Sequence, residues 1–352
     1  MIKLLFITQK VDKNDDVLGV YHRWIEELSR KVDRINVICL YQGRTELPVN
    51  VRVFSLRKEY GSSRWRRVFL FYKYIWILRK DYNSVFVHMN PLYILLGGLF
   101  WKIGGKQVFL WYNHPLGSLT TKLGIFLSHR VFCTSPFSFV SGFKKTRLMP
   151  VGIDTDFFKR NQDSVRRENS VLYLGRVSPI KNLECLLAAT RILDRQNISF
   201  VVNVVGAAVS ESNRVYLEKI KNMAADLTAD GKVVFGKPVR NIDTPLVYVR
   251  SGVFVNLTAT GSFDKAVVEA MACETPILVS NKLFDRILPP KLKETCLFNE
   301  NDADDLSKKI IKLLCLSKEL KQEMGKELRE IAVEKHSLAL LIEILSKEFS
   351  RI

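Results

Sequence analysis

FVNLTATGSFDKAVVEAMACETPILVSN, residues 254–281, reads as strand, glycine turn, helix and strand without a gap. Residues 254–257 are apolar apart from Asn256, the pattern of a parallel strand covered on both faces. Gly261 lets the backbone turn or approach a ligand closely, Ser262 can cap the helix that follows, and Asp264 suits the positive end of its dipole. Ala266, Val267, Ala270 and Met271 form a buried stripe that Glu269 interrupts, and residues 276–279 make the next strand. A carboxylate inside such a stripe is either solvated and salt-bridged, or placed to accept hydrogen bonds from ribose hydroxyls where a strand ends and a helix begins.

The same alternation repeats along the chain. Strand-length apolar runs fall at 3–8, 37–40, 51–56, 85–88, 108–111 and 131–134, with helical patterns between several of them, such as 21–31 with Trp24, Ile25 and Leu28 on one face. The second half restarts with strands at 171–176, 199–206 and 233–235 and helices at 182–194, 213–227 and 244–250. Helices at 303–316, 317–335 and 338–349 close it. Strand-helix alternation predicts open, mostly parallel sheets with helices on both sides, and ligands at the carboxyl ends of the strands. The expected fold class is therefore α/β, with two Rossmann-like doubly wound domains facing a cleft. Residues 160–170 are polar without apolar periodicity, so the expected division is 1–160 and 161–336.

Composition narrows the class. A chain of 352 residues with 47% hydrophobic content can bury a large core, and the length favours two domains over one. Six scattered cysteines show no C-x-x-C or histidine pairing, which speaks for buried thiols and against a metal site or a disulfide framework. The opening MIKLLFITQKVD has too short an apolar run for a signal peptide and reads as a first strand. Residues 82–101 lack Asp, Glu, Lys and Arg, but Asn83, His88, Pro91 and the Gly97-Gly98 pair predict strand, turn and buried helix rather than a membrane span.

The net charge of +18 is uneven. Residues 1–165 hold 26 Lys and Arg against 12 Asp and Glu, and the rest hold 28 against 24, so the first half carries the positive field and an anionic neighbour is expected there. Residues 57–80, RKEYGSSRWRRVFLFYKYIWILRK, combine Trp65, Phe69, Phe71, Tyr72, Tyr74 and Trp76 with six cations after Ser63. Such a helix suits a membrane surface with anionic head groups, or a core helix with basic ends. No nucleic-acid module accompanies the charge.

Gly175-Arg176 ends one strand, and Lys181 opens the next helix after Ser178-Pro179. Two cations across a strand-to-helix turn can converge on a diphosphate. Together, GRVSPIKN (175–182), VEAMACETPILVSN (268–281) and PVGIDTDFF (150–158) resemble the motifs of retaining GT-B glycosyltransferases of the family-4 type. The final helix, 337–352, resembles the one that crosses back onto the amino-terminal acceptor domain, which leaves 161–336 as the nucleotide-sugar donor domain.

The resemblance implies transfer of a sugar from a nucleotide-diphosphate sugar to an acceptor hydroxyl with the anomeric configuration kept and with no metal or cofactor. Arg176 and Lys181 would hold the diphosphate, with Gly175, Ser262, Asp264 and Lys265 around the donor and Glu269 on the ribose. Gly19 resembles the remnant of a glycine loop, and His114 in WYNHP resembles the histidine that faces the transferred sugar, with His88 in VHMNP its competitor. One departure stands out: Gly261 occupies the position of the first Glu of the family's paired glutamates. That departure keeps a second reading open, a catalytically silent nucleotide-sugar-binding protein. The implied setting is cytoplasmic, at the inner membrane face, in cell-surface glycan or glycolipid synthesis with a lipid-linked acceptor.

Overall fold

A computed structural model describes residues 2–15, 18–161, 164–196, 198–261 and 263–350. Twelve strands run in chain order: β1 (Lys3–Val11), β2 (Arg34–Gln42), β3 (Val51–Ser55), β4 (Ser84–His88), β5 (Gln107–Trp111), β6 (Arg130–Cys133), β7 (Thr146–Leu148), β8 (Arg167–Leu174), β9 (Val201–Val205), β10 (Val233–Gly236), β11 (Ser251–Asn256) and β12 (Ile277–Val279). The first seven form one parallel sheet in the order β3-β2-β1-β4-β5-β6-β7, and the last five a second in the order β10-β9-β8-β11-β12. In both sheets the strand order reverses beside the first strand, which places a topological switch point between β1 and β4 and another between β8 and β11.

Two compact units contain these sheets: 1–152 together with 338–352, and 153–337. The junction lies at Gly152–Ile153, eight residues ahead of the expected 160/161 division, because residues 153–158 are tied into the second unit. Ile153 bridges to Ser337, Phe158 packs edge-on against Tyr248, and Arg329 donates to the carbonyls of Thr155 (3.1 Å) and Phe158 (3.0 Å).

In the first unit, helices α1 (Gly19–Ser29), α2 (Arg64–Ile77), α3 (Leu92–Ile103) and α4 (Leu119–Leu127) connect the strands, and α13 (Leu338–Ser350) returns from the carboxyl end of the chain. Trp24, Ile25 and Leu28 of α1 share one buried cluster with Leu341, Leu345 and Phe349 of α13. Leu70, Phe71 and Ile75 of α2 share another with Ile94 and Trp101 of α3 and Ile125 of α4. Alternate strand residues feed the two clusters, Phe6 one and Leu5 and Ile7 the other, as the period-2 pleat requires. The unsplit window 82–101 is β4, a turn and the start of α3, and among the described residues no helix is long and apolar enough to cross a membrane.

The second unit adds α5 (Leu183–Asp194), α6 (Glu211–Met223), α7 (Ala225–Ala229), α8 (Thr244–Val249), α9 (Lys265–Ala272), α10 (Pro290–Cys296), α11 (Ala303–Leu314) and α12 (Lys318–His336). All six residues of β11 are buried, Asn256 among them. Two short elements, β7 and α10, escape the sequence pattern: TRL is three residues with two polar ones, and PKLKETC carries only two buried side chains.

Candidate functional site

At the switch point of the second unit, β8 ends at Leu174 and runs on into Gly175-Arg176, and β11 ends at Asn256 and runs on into Leu257-Thr258. The glycine that ends the next strand has a steric reason. A Cβ on Gly206, at the end of the neighbouring β9, would stand 1.8 Å from the Gly175 carbonyl oxygen, so the two strand ends meet backbone to backbone. The amide N of Gly175 donates to Val205 O (3.1 Å) and that of Val177 to Ala207 O (3.0 Å), which sets the turn that leads through Pro179–Lys181 into α5. Asn182 takes the left-handed conformation at the join, φ 46°.

Lys181 is the pivot of a polar cluster. Its ammonium donates to Thr258 Oγ1 (2.8 Å) and to Asp264 Oδ2 (2.5 Å). Oδ2 of Asp264 also accepts from Asn256 Nδ2 (2.9 Å) and Thr258 Oγ1 (2.8 Å), while Oδ1 accepts from the amide N of Ala266 (3.3 Å). Burial would raise the Asp264 carboxyl, but the Lys181 charge and the hydrogen bonds from Lys181, Asn256 and Thr258 overcome it and hold the pKa below the usual value. A Lys ammonium has three N–H groups, and two are used here, so one is left to meet a ligand oxygen.

Helix α9 starts at Lys265 with Asp264 as its cap, which corrects the expectation that Ser262 caps and Asp264 follows inside the first turn. The physical reason is Phe263, whose ring packs against Phe284 and His336 (5.2 Å between centroids in each case) and fixes the residue ahead of the cap. Ser262 itself lies outside the described residues. Gly261 has φ +148°, a conformation that favours glycine, and a Cβ there would meet nothing within 4 Å.

Glu269 sits one turn into α9, half-buried, with Oε2 accepting from the hydroxyl of the buried Tyr248 (3.1 Å). Burial pushes its pKa up to about 7 against the opposing Tyr248 bond and Lys265 charge, with Asp264 adding to the rise. Arg176 is exposed just past β8, its carbonyl accepting from Tyr173 Oη (2.6 Å). The structure thus joins Lys181 to Asp264 directly, and places Lys265 and Glu269 within electrostatic reach of each other.

Two supports were not predicted from the sequence. Glu300 Oε1 accepts from both the amide N (2.7 Å) and the hydroxyl of Thr260, and Asn301 Oδ1 accepts from Asn182 Nδ2 (2.7 Å), so residues 300–301 brace the loops that follow β11 and β8. Asn256 and Thr258 were also missed as site residues, although a lone polar side chain in an otherwise apolar strand marked the first.

In the first unit, Gly19 opens α1, its N–H donating to Asp15 O (2.9 Å), and a Cβ there would approach Lys13 O at 3.3 Å. His114 follows β5 in an exposed loop, with Nδ1 3.1 Å from both the amide N and the carbonyl O of Leu116. His88 ends β4 at the other switch point but is a buried ring, 4.0 Å from Tyr21 and 6.0 Å from Trp24 between centroids. Among the described residues no cluster of three or more His, Cys, Asp or Glu side chains could hold a metal ion.

Two doubly wound parallel sheets with helices on both faces define the chain as an α/β protein of GT-B type. Residues 154–331, half of the sequence, match the model of the family described as glycosyl transferases group 1, and the chain belongs to that family. Among curated proteins it is similar to the alpha-monoglucosyldiacylglycerol synthase of Streptococcus pneumoniae, 22% identical over 199 residues that cover 53% of this chain and 44% of the relative. It is also similar to the D-inositol 3-phosphate glycosyltransferase of Acidothermus cellulolyticus, 27% identical over 149 residues that cover 39% and 33%. The chain spans less than half the length of either relative. Its fold matches the Anabaena protein HepE solved with UDP and glucose, with a TM-score of 0.75, 16% identity and full coverage of both chains. Sucrose-phosphate synthase of Thermosynechococcus elongatus follows at 0.74, with 18% identity and 98% of each chain covered.

Proposed function

We infer that the chain transfers a sugar from a nucleoside-diphosphate sugar to an acceptor hydroxyl, with retention at the anomeric carbon. The observation that carries this reading is the Lys181-Asp264-Thr258-Asn256 cluster at the strand ends of the β8/β11 switch point, with Arg176 beside it and Glu269 below. As the bond from the anomeric carbon to the diphosphate oxygen breaks, negative charge grows on that oxygen. Lys181 and Arg176 stabilise it electrostatically, and the hydrogen bond to Asp264 aims the Lys181 ammonium. The acceptor oxygen forms the new bond to the same carbon, and its proton leaves with the diphosphate. Glu269, as a carboxylate, accepts from the ribose hydroxyls. On this reading the two side-chain cations take the part of a metal ion at the leaving diphosphate. HepE was solved with UDP and glucose, which makes a UDP-sugar the first donor to try.

We assign acceptor binding to the first unit, where Gly19 would pack against donor and acceptor and His114 would face the transferred sugar, and a lipid-linked or otherwise anionic acceptor because that unit carries the positive field. The name of the alpha-monoglucosyldiacylglycerol synthase relative supports a role in glycolipid synthesis, and the setting that goes with a lipid-linked acceptor, or with cell-surface glycan synthesis, is the cytoplasmic membrane face. Gly261 favours a second reading, a nucleotide-sugar-binding protein without turnover, since no carboxylate is supplied at that position. Release of nucleoside diphosphate with transfer to added acceptors separates the two. Under the first reading Lys181→Ala and Arg176→Gln each lower turnover about 100-fold or more, with nucleotide-dependent thermal stabilisation reduced; unchanged turnover in both variants removes the assigned roles.

A further inference from the structure

We propose that the outer surface of α2, α3 and α4 docks the protein onto an anionic lipid bilayer. The proposal deepens the membrane-face setting inferred above, but it rests on a surface distant in sequence from the donor site and needs no turnover. The three helices share one buried cluster, so their opposite faces look the same way. On that side Trp65 is 85% exposed, Trp76 57% and Phe126 70%, with Phe69, Leu99 and Ile103 exposed as well. The helices are stitched across this surface: Tyr72 Oη donates to Leu96 O (2.9 Å), the Trp76 and Phe100 rings are 6.0 Å apart, and Lys102 Nζ lies 5.9 Å from the Phe126 ring centre.

Charge selects the occupant. Residues 62–80 and 82–153 contain no Asp or Glu at all, while α2 alone presents Arg64, Arg66, Arg67 and Lys73. The helix on the other face of the sheet is built differently: in α1, Arg23 and Arg30 are neutralised by Glu26 and Glu27 at 3.0–3.5 Å. Cations without carboxylates on their own helices, interleaved with exposed tryptophan and aliphatic side chains, match the head-group and acyl boundary of an anionic membrane. The aliphatic Leu99 and Ile103 add apolar area that a bilayer rewards and that neither bases nor phosphates do, and the absence of carboxylates gives a second copy of the same surface nothing to pair with.

The test is co-sedimentation of the full chain with vesicles of phosphatidylcholine alone, or with about one-third phosphatidylglycerol, at low and high salt. The wild type should bind the anionic vesicles, release them as salt rises, and ignore the neutral ones. The variant R64Q/R66Q/R67Q should weaken binding about 100-fold, from roughly a tenfold or smaller factor per cation near the surface. W65A/F69A/W76A should weaken it about tenfold or more. Thermal stabilisation of both variants by UDP-sugar, equal to wild type, keeps a folding defect and a failed donor assignment apart from a failed docking surface. Equal binding by wild type and both variants, no preference for the anionic vesicles, or preferential binding of the surface to RNA oligomers or to a second copy would overturn the proposal.

Discussion

Lys181 and Asp264 are both largely shielded from water, with side chains 16% and 15% exposed, so each charge depends on the other. Asp264 has a depressed pKa in the folded protein, which means its contribution to stability is present above the unfolded value near 3.8 and is lost as pH falls through the folded one. In Lys181→Ala the partner charge is gone and burial dominates, so the Asp264 carboxyl shifts upward. The variant should therefore lose about 3 kcal/mol at neutral pH and recover part of it on acidification, the reverse of wild type, as read by urea denaturation across about pH 4 to 8. A parallel pH dependence in the two proteins would count against the pair.

Glu269 works the other way. Its pKa of about 7 means that the folded state holds a proton the unfolded chain gives up near 4.5, so this residue costs stability as pH rises between those values. Glu269→Gln should be more stable than wild type above about pH 7, by about 1–3 kcal/mol once partial exposure is allowed for. It should also bind the nucleotide more weakly there. In wild type, nucleotide affinity should climb from about pH 6 to 8 as the carboxylate forms with Tyr248, Lys265 and Asp264 around it, and calorimetric titration of both proteins checks it. Flat affinity in wild type would leave Glu269 as a packed acid only.

At the scale of elements, α13 shows how a segment far along the chain completes a core begun at residue 3. Phe349 is fully buried, 5.0 Å from the Phe109 ring and 5.5 Å from Phe86. Beside it the buried Glu348 is paired with Arg130 (3.3 Å) and Arg147 (2.5 Å). Phe349→Ala should cost about 3–5 kcal/mol of the first unit's stability, measured by denaturant unfolding, and less than about 1 kcal/mol would mean that α13 is only loosely applied. The apolar spacing at 338–349 made this helix legible in the sequence, as it did α1 and α5. The cap of α9 was not legible, because Ser262 and Asp264 are both good caps and only the packing of Phe263 and the Lys181 pair decides between them.

Across the whole molecule, the repeated strand-helix alternation was enough to read two parallel sheets, since strands covered on both faces leave continuous apolar runs. The GRVSPIKN and VEAMACETP segments were enough to mark Arg176 and Lys181 after one strand and Glu269 on the helix after another, which is where the structure has them. What the sequence withheld were partners that depend on register between strands: Thr258 beneath Lys181, Tyr248 on Glu269, Glu300 on Thr260. None of these has a fixed spacing to its partner, so no pattern along the chain could announce them. The unit boundary shifted for the same reason, because the bonds from Arg329 to Thr155 and Phe158 span more than 170 residues.

On the proposed reading Arg176, Lys181 and Glu269 grip one nucleoside diphosphate beside the ends of β8 and β11. A crystal structure of the chain with a UDP-sugar tests it most directly. The diphosphate should lie within hydrogen-bond distance of the Lys181 ammonium and the Arg176 guanidinium, with ribose hydroxyls on the Glu269 carboxylate. A nucleotide bound elsewhere, or bound there with those three side chains turned away, contradicts it.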